Sequence, residues 1–197
     1  ALVDFMKQYP ERCLDCGIAE QHAVAFASGL ATSGLRPVAA IYSTFLQRGY
    51  DMVFQEVILQ KVPVVFAMDR AGLVGEDGAT HNGIYDIAYL GAFPGLVLMA
   101  PRDGIELGMM LDFGLELDGP SALRYARGGA PEGAARETRP AIALGRSETL
   151  REGEHLAIVA YGSEVEYAME AAESLASQGV EAEVVNARFA KPIDVEM

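Results

Sequence analysis

The sequence predicts an α/β protein in which a parallel sheet is covered by helices on both faces. Strand-like and helix-like patterns alternate along its 197 residues, and such alternation is typical of parallel sheets. Short apolar runs such as residues 64–68 have the length of buried strands. A Gly- and Pro-containing segment at residues 128–140 separates a larger α/β unit from a shorter second one.

The larger unit is predicted to alternate strands with helices. Its strands are expected at residues 12–15, 38–41, 64–68, 96–99 and 122–125, and its helices at residues 19–32, 45–60 and 105–115. Small or apolar residues occupy most faces of the helix 19–32, so we expect it to be largely buried. Gly34 is suited to cap that helix, and a glycine-rich loop is expected at residues 70–83.

The second unit is predicted to contain one β-α-β crossover, with strands at residues 155–160 and 181–187 around a helix at residues 164–178. So short a segment does not close a doubly wound domain. The domains expected are therefore a first domain at residues 1–127, a linker at residues 128–140 and the start of an α/β C-terminal domain at residues 141–197. Because the sequence begins without Met, we also expect it to begin within a longer protein.

Composition and charge argue against several classes of function. The formal net charge of −13 argues against a nucleic-acid-binding surface, which needs clustered Lys and Arg. No apolar run reaches the length of a membrane span. The glycines at positions 72, 75 and 78 do not form the G-x-G-x-x-G pattern of a dinucleotide site.

The two cysteines, Cys13 and Cys16, form a C-x-x-C pattern. A zinc site needs a second ligand pair and a redox site needs a helix start, and neither is evident in the sequence. On the strand predicted at residues 12–15, positions three apart would face opposite sides of the sheet. We therefore predict two ordinary reduced thiols, which fit a cytoplasmic protein, and no metal ligand in the chain.

Three charged side chains lie where chemistry is possible. Glu20 is in the first turn of the helix 19–32, where it either complements the helix dipole or acts as a general acid/base in apolar surroundings. Arg70 and Arg127 follow predicted strands, at the carboxyl ends where open α/β sheets bind ligands. Their guanidinium groups match the geometry of a phosphate, although solvated surface arginines would give the same pattern.

Three motifs carry a resemblance to a known family. They are G-I-A-E-Q-H at residues 17–22, Y-S-T-F-L-Q-R-G-Y-D at residues 42–51 and D-R-A-G-L-V-G-E-D-G-A-T-H at residues 69–81. In order and spacing they resemble the 1-deoxy-D-xylulose-5-phosphate synthases, a family of transketolase-like thiamine diphosphate enzymes. The glutamate and the D-G-x-T-H pattern are shared with transketolases, whereas Y-S-T-F-L-Q-R and D-R-A-G are more discriminating. The resemblance implies a pyrimidine-binding domain followed by an incomplete C-terminal domain.

The resemblance also implies roles for individual residues. The glutamate matching Glu20 hydrogen-bonds N1′ of the cofactor's aminopyrimidine, and the aromatic residue matching Phe45 stacks on that ring. Residues matching Tyr42, Arg70 and Arg127 bind the phosphate of the acceptor substrate. The family commonly has Pro where this chain has Ala126, so the backbone next to Arg127 is less constrained.

Three further residues match the active site of the family. Asp77 and His81 match residues near the reacting centre, although a lone loop histidine is more often solvated. Arg48 matches an active-site arginine, but it could instead pair with Asp51 on its own helix.

The resemblance implies a transferase that condenses pyruvate with glyceraldehyde 3-phosphate and releases CO₂, as a step towards isoprenoid precursors and thiamine. It implies a homodimer that uses thiamine diphosphate and Mg²⁺. The G-D-G…N segment that holds Mg²⁺ and diphosphate in the family is expected in an N-terminal domain preceding residue 1. The alternatives are a transketolase, a 2-oxoacid dehydrogenase β-subunit, or a catalytically idle thiamine-fold subunit that serves dimerisation.

Overall fold

The computed structural model describes residues 2–129 and 135–197. The α-helices in these residues are α1 (Val3–Gln8), α2 (Glu20–Thr32), α3 (Ser43–Leu46), α4 (Tyr50–Met52), α5 (Asp86–Gly91), α6 (Gly104–Glu116) and α7 (Glu164–Ala176). The strands are β1 (Val38–Ala40), β2 (Val65–Met68), β3 (Val97–Met99), β4 (Ser121–Arg124), β5 (Glu148–Arg151), β6 (Leu156–Ala160), β7 (Ala182–Asn186) and β8 (Phe189–Lys191). Within these residues, no helix is both long enough and apolar enough to cross a membrane.

The larger sheet has the strand order β1-β2-β4-β3-β8. The first four strands are parallel, with Val65 of β2 lying between Val38 of β1 and Ser121 of β4. The last strand, β8, runs antiparallel to β3. The α/β class is therefore confirmed, and the predicted parallel sheet carries one additional antiparallel strand, β8, at its edge.

A smaller sheet has the order β5-β7-β6. Strands β6 and β7 flank α7 and are parallel, as expected for a β-α-β crossover, and β5 adds an antiparallel strand. The predicted crossover is thus confirmed, whereas β5 was not predicted.

Helices cover both faces of the larger sheet. Successive side chains of β2 point to opposite sides, so its apolar residues need a packing partner on each face. Phe66 packs on one face with Val24 of α2 and Val57. Val65 packs on the other face with Met110 of α6. The predicted helix 19–32 is confirmed as α2, and both layers expected from the sequence are present.

The strand predicted at residues 12–15 is wrong. The structure has a 3₁₀ turn at Pro10–Arg12, with Pro10 at a helix-start position that suits its fixed φ. No described strand pairs with the residues that follow. Cys13 and Cys16 are free, half-buried thiols in this irregular segment.

The helix predicted at residues 45–60 starts earlier and is not a single α-helix. It begins as α3, tightens into a 3₁₀ turn at Gln47–Gly49, continues as α4 and widens into a π-helical turn at Val53–Ile58. Gly49 lies where this segment crosses α2, and a Cβ there would be 3.3 Å from Cγ2 of Val24. The close crossing favours glycine, which breaks the regular helix.

The predicted linker is anchored at one end. Residues 130–134 of that prediction lie outside the described residues. Further on, Arg139 donates two hydrogen bonds of 2.9 and 2.7 Å to the carboxylate of Asp103, which also caps the start of α6. The later part of the predicted linker is therefore tied to the first unit.

A buried group of polar side chains joins the two units; we call Glu106, Glu148, Asn186 and Arg188 the interior network. Arg188 donates to Oε1 of Glu106 at 2.8 Å and to Oε2 of Glu148 at 2.7 Å. Asn186 donates to both carboxylate oxygens of Glu106, at 3.0 and 3.1 Å. The side chains of Glu106 and Arg188 are 0% and 2% exposed, so this pairing is dry.

Candidate active site

The predicted site residues collect at one edge of the larger sheet. Strands β1, β2 and β4 are neighbours, and their carboxyl ends lead into Tyr42, Arg70 and Arg127. The loop at residues 70–83 folds back over this edge, where Gly72 and Gly83 exchange backbone hydrogen bonds of 2.8 and 2.9 Å. This edge is where open α/β sheets bind ligands.

Glu20 opens helix α2 and is buried, with 8% of its surface exposed. Nη1 of Arg48 donates to its Oε2 at 2.8 Å. Arg48 reaches Glu20 because the adjoining Gly49 lies against the first turn of α2, where a Cβ on this glycine would be 3.5 Å from the Glu20 carbonyl oxygen. The ion pair of Arg48 is thus with Glu20 and not with Asp51, the alternative on its own helix.

The second carboxylate oxygen of Glu20, Oε1, has no hydrogen-bond donor among residues 2–129 and 135–197. A buried carboxylate with one oxygen held and one free can accept or share a proton with a ring nitrogen. No hydrogen bond or ion pair in the described residues joins the Glu20–Arg48 pair to the other site residues. The helical segment that carries Phe45 and Arg48 links them.

Three aromatic side chains form a cluster beside this segment. The rings of Tyr42 and Phe45 are stacked with centroids 5.6 Å apart, and His81 meets Phe45 edge-on at 5.1 Å. The guanidinium carbon of Arg70 lies 4.0 Å from the centroid of the Tyr42 ring, within range of a cation–π interaction. The structure therefore brings Tyr42, Phe45, His81 and Arg70 together.

Charged side chains line the outer edge of the same site; we call Arg70, Glu76, Asp77 and Arg127 the rim cluster. Nε of Arg70 donates to Oδ2 of Asp77 at 2.7 Å, and Nε of Arg127 is 3.4 Å from the same oxygen. Nη1 of Arg127 donates to Oε2 of Glu76 at 2.7 Å. The two arginines, from different strand ends, thus converge on one carboxylate.

The electrostatics of the rim cluster favour the charged forms of Arg70, Asp77 and Arg127. The hydrogen bond from Arg70 lowers the pKa of Asp77 against the opposing effect of burial, and Arg127 lowers it further. In return the hydrogen bond with Asp77 raises the pKa of Arg70, and that with Glu76 raises the pKa of Arg127. Both guanidinium groups and the Asp77 carboxylate are ionised at neutral pH.

The backbone of Arg70 has an unusual conformation, with φ of 60° in the left-handed region. Asp69 stabilises it, because its Oδ1 accepts from the Arg70 amide at 2.6 Å and its Oδ2 from Nη1 at 2.7 Å. Left-handed φ is disfavoured for residues with a Cβ and persists where surrounding contacts fix it, often at functional sites. Asp69 was not singled out in the sequence, although it opens the D-R-A-G motif.

Sequence reasoning also missed a largely buried polar group; we call Ser43, Asp86 and Arg124 the support cluster. Oδ2 of Asp86 accepts from Oγ of Ser43 and from Nε of Arg124, each at 2.9 Å. Asp86 opens α5, so local pattern gives it only the role of a first-turn acidic residue. Nothing in the sequence around it indicates burial.

A cavity of about 1000 Å³ lies between the two units, next to the rim cluster. The loops that follow β2, β3, β4 and β6 line it, with Asp69, Arg102, Arg127 and Tyr161 among the lining residues. Burial raises the pKa of Tyr125, a further lining residue, to about 12, and Asp69 adds to this effect. In the described ranges, no three His, Cys, Asp or Glu side chains are grouped as metal ligands.

Comparison with known proteins identifies the family. Residues 1–132 match the model of the transketolase pyrimidine-binding domain, and residues 145–197 match that of the transketolase C-terminal domain. The chain belongs to the transketolase family.

Curated relatives within this family are 1-deoxy-D-xylulose-5-phosphate synthases, which confirms the resemblance found in the motifs. One from Geobacter sulfurreducens is 55% identical over 196 residues, which cover 100% of this chain and 31% of that protein. One from Thermomicrobium roseum is 57% identical over 194 residues, covering 98% and 31%. The chain therefore spans about a third of the length of these transketolase-family relatives.

Solved transketolase structures share the fold. A split-gene transketolase, described as an inactive β4 tetramer, superposes with a TM-score of 0.89 at 34% identity, covering 98% of this chain and 62% of that one. A Pichia stipitis transketolase in complex with sedoheptulose 7-phosphate gives a TM-score of 0.80 at 26% identity, covering 92% and 27%.

Proposed function

We propose that this chain is part of a 1-deoxy-D-xylulose-5-phosphate synthase, a thiamine diphosphate-dependent transferase that joins pyruvate to glyceraldehyde 3-phosphate with loss of CO₂. The observation that carries the proposal is the convergence of Arg70 and Arg127 on Asp77, 2.7 and 3.4 Å from one carboxylate oxygen. Two guanidinium groups held this close form a site suited to a phosphate dianion.

The degree of similarity supports this activity over other transketolase-type reactions. The synthases are 52–57% identical to the chain over nearly its whole length, whereas the solved transketolases are 24–34% identical. The Y-S-T-F-L-Q-R segment supplies Tyr42, Phe45 and Arg48 to the site, so the discriminating motif coincides with the geometry.

The described residues fit the pyrimidine half of thiamine diphosphate. Glu20 presents one free oxygen from a buried position, as a group that shares a proton with the ring nitrogen N1′ must. Phe45, which lies between Tyr42 and His81, would stack on the pyrimidine ring, and such stacking contributes about 0.5–1.5 kcal/mol beyond burial. When bound, the thiazolium ring of the cofactor supplies the electron sink for decarboxylation.

The chain's own residues then bind and orient the acceptor. The phosphate of glyceraldehyde 3-phosphate would bind Arg70 and Arg127 and displace the highly exposed carboxylate of Glu76, whose side chain is 82% exposed. Tyr42 lies under Arg70 and fixes the direction of its guanidinium group. His81 packs against Phe45, and in this proposal its imidazole exchanges a proton with the oxygen of the acceptor aldehyde.

The remaining parts of the enzyme are proposed from the family. Mg²⁺ and the diphosphate would be held by an N-terminal domain of the same enzyme, and the enzyme would be a cytoplasmic homodimer. The domain boundaries proposed for this chain are 1–127 for the pyrimidine-binding domain, 128–140 for the linker and 141–197 for the start of the C-terminal domain.

The proposal predicts different losses with two acceptors in the complete enzyme. Arg70→Ala or Arg127→Ala should lower kcat/KM for glyceraldehyde 3-phosphate about 10- to 150-fold, because a charge-assisted hydrogen bond contributes roughly 1.5–3 kcal/mol. The value for unphosphorylated glyceraldehyde should change far less, since it never had that interaction.

Arg136→Ala is the matched control, because Arg136 is a half-exposed arginine paired to Asp112 away from the site. It should leave both acceptors unaffected. If Arg70→Ala or Arg127→Ala lowers kcat/KM for both acceptors by the same factor, the two arginines are structural and phosphate binds elsewhere. A parent enzyme that transfers a ketol group and does not use pyruvate would instead favour the transketolase alternative.

A further inference from the structure

Asp86 is a buried carboxylate for which the proposed reaction gives no role. It is 1% exposed, and both of its oxygens are used. Its Oδ2 accepts from Ser43 and Arg124 at 2.9 Å each, and its Oδ1 accepts from the amide of Ile87 at 2.8 Å. One side chain therefore joins the segment that follows β1 and the last residue of β4 to the start of α5.

Two partners of Asp86 lie close in sequence to residues proposed to bind the acceptor. Ser43 directly follows Tyr42, and its amide donates to the carbonyl of Asp69 at 2.8 Å, next to Arg70. Arg124 is the last residue of β4, and Arg127 lies three residues beyond it. Because Asp86 bridges Ser43 and Arg124, it couples the Tyr42 side of the rim to the Arg127 side.

The returning end of the loop 70–83 closes the space around this bridge. A Cβ at Gly83 would lie 2.4 Å from Oγ of Ser43 and 2.4 Å from the carbonyl oxygen of Arg70. Tyr89 of α5 adds a hydrogen bond from its hydroxyl to the carbonyl of Ser43 at 3.0 Å. Ser43 is therefore held through both its carbonyl and its hydroxyl, in a space that the Gly83 backbone closes.

The buried ion pair of Asp86 with Arg124 is expected to add little to the net stability of the fold. Burying a carboxylate and a guanidinium costs desolvation that their attraction roughly offsets, and an apolar replacement of similar volume is often as stable. A buried pair does fix the relative position of the segments that carry it, because removing one partner leaves an unpaired charge. Asp86 and Arg124, at 1% and 15% side-chain exposure, are such a pair.

We propose that Asp86 is a positioning residue for phosphate recognition, which sets the spacing between the Tyr42 and Arg127 segments through Ser43 and Arg124. It touches neither substrate nor cofactor. The inference rests on the proposed function, because it assumes that the rim cluster binds the phosphate of the acceptor.

The test uses the complete enzyme with Asp86→Asn and with Ser43→Ala. Asp86→Asn keeps the shape but removes the charge that holds Arg124, and Ser43→Ala removes one hydroxyl and nothing else. Each should lower kcat/KM for glyceraldehyde 3-phosphate about 10-fold or more, since small misplacements at a distance from the chemistry have effects of up to 10²-fold. The value for unphosphorylated glyceraldehyde should fall less than about 3-fold on the same reasoning.

Glu106→Gln is the matched control, because Glu106 is an equally buried carboxylate paired to an arginine in the interior network. It should lower the melting temperature without changing the ratio of the two kcat/KM values. The positioning role is overturned if the Asp86 and Ser43 variants lower kcat/KM for both acceptors by the same factor, or change kcat/KM for neither. If Asp86→Asn does not fold, the ratio of the two kcat/KM values measured for Ser43→Ala tests the positioning role.

Failure of the two proposals can be told apart. A parent enzyme that shows no preference for the phosphorylated acceptor defeats the proposed function and this inference with it. If the parent enzyme prefers the phosphorylated acceptor and the variants keep the same preference, only the proposed role of Asp86 is contradicted.

Discussion

The interior network and the rim cluster both pair arginines with carboxylates, but they differ in their surroundings. Arg188 and Glu106 of the interior network are dry, and their partners satisfy them from several directions. In the rim cluster, Arg127 is 38% exposed and its partner Glu76 is almost fully solvated. The first arrangement leaves no opening for a ligand, and the second has ion pairs that a ligand can replace.

The difference has an energetic basis. Exposed ion pairs contribute about 0–1 kcal/mol, so the pair of Arg127 with Glu76 can be exchanged for a phosphate at small cost. A buried pair costs several times more to break, because one charge is left in a medium of low polarity. Exposure of the partner carboxylate therefore separates an arginine available to substrate from one that holds the fold together.

The largest effect is expected from breaking the interior network. Glu106→Gln removes the charge opposite Arg188 without changing the volume, and should lower the free energy of unfolding by about 3–5 kcal/mol. Urea denaturation followed by circular dichroism measures this change. A loss below about 1 kcal/mol, the range of exposed pairs, would remove the distinction between the two clusters.

A smaller effect in the opposite direction is expected at the rim. If phosphate binds Arg127 as proposed, Glu76→Gln removes a carboxylate that competes for this arginine, so KM for glyceraldehyde 3-phosphate should fall about 1.5- to 5-fold, which corresponds to 0.2–1 kcal/mol. Asp112→Asn, which breaks the similarly exposed pair with Arg136, is the control and should leave KM unchanged. An increase in KM for Glu76→Gln would show that Glu76 assists binding.

The smallest effect concerns pH. Asp77 has a pKa below its ordinary value of 3.8, mainly because Arg70 hydrogen-bonds to it. A lowered pKa means that the stabilisation is present above pH 3.8 and is lost as the pH falls through the lower pKa of the folded state. The difference in melting temperature between the parent and Asp77→Asn should thus shrink on acidification below pH 4. A difference that grows there would contradict the ion pair.

Local pattern was sufficient for much of the fold. Helix α2 and strand β2 agree closely with the predicted ranges 19–32 and 64–68, because periodicity and apolar runs report local burial. Strand β8 was missed because its pairing partner β3 lies in the other unit, far away in sequence. The strand predicted at residues 12–15 failed for the converse reason, since strand-like composition has no effect without a neighbouring strand.

Parts of the candidate site could likewise be predicted from local sequence, and other parts depend on contacts between distant segments. The positions of Arg70 and Arg127 at one edge follow from the rule that parallel strands end together, and their convergence on Asp77 agrees with that expectation. The pairing of Arg48 with Glu20 could not be read locally, because Asp51 was an equally plausible partner. Asp86 gave no signal at all, since its burial depends on three segments that meet only in the folded chain.

The antiparallel strand β8 bears on how enzymes of this kind can be recombined. Residues Phe189–Lys191 follow the predicted linker in the sequence, yet they complete the sheet of the first unit by pairing Lys191 with Leu98 and Phe189 with Met99. A chimera with its crossover at residues 128–140 would combine a sheet from one parent with an edge strand from the other. A crossover placed after residue 191 keeps that sheet from a single parent. The segment that must be exchanged as a whole therefore extends past the linker, to the end of β8.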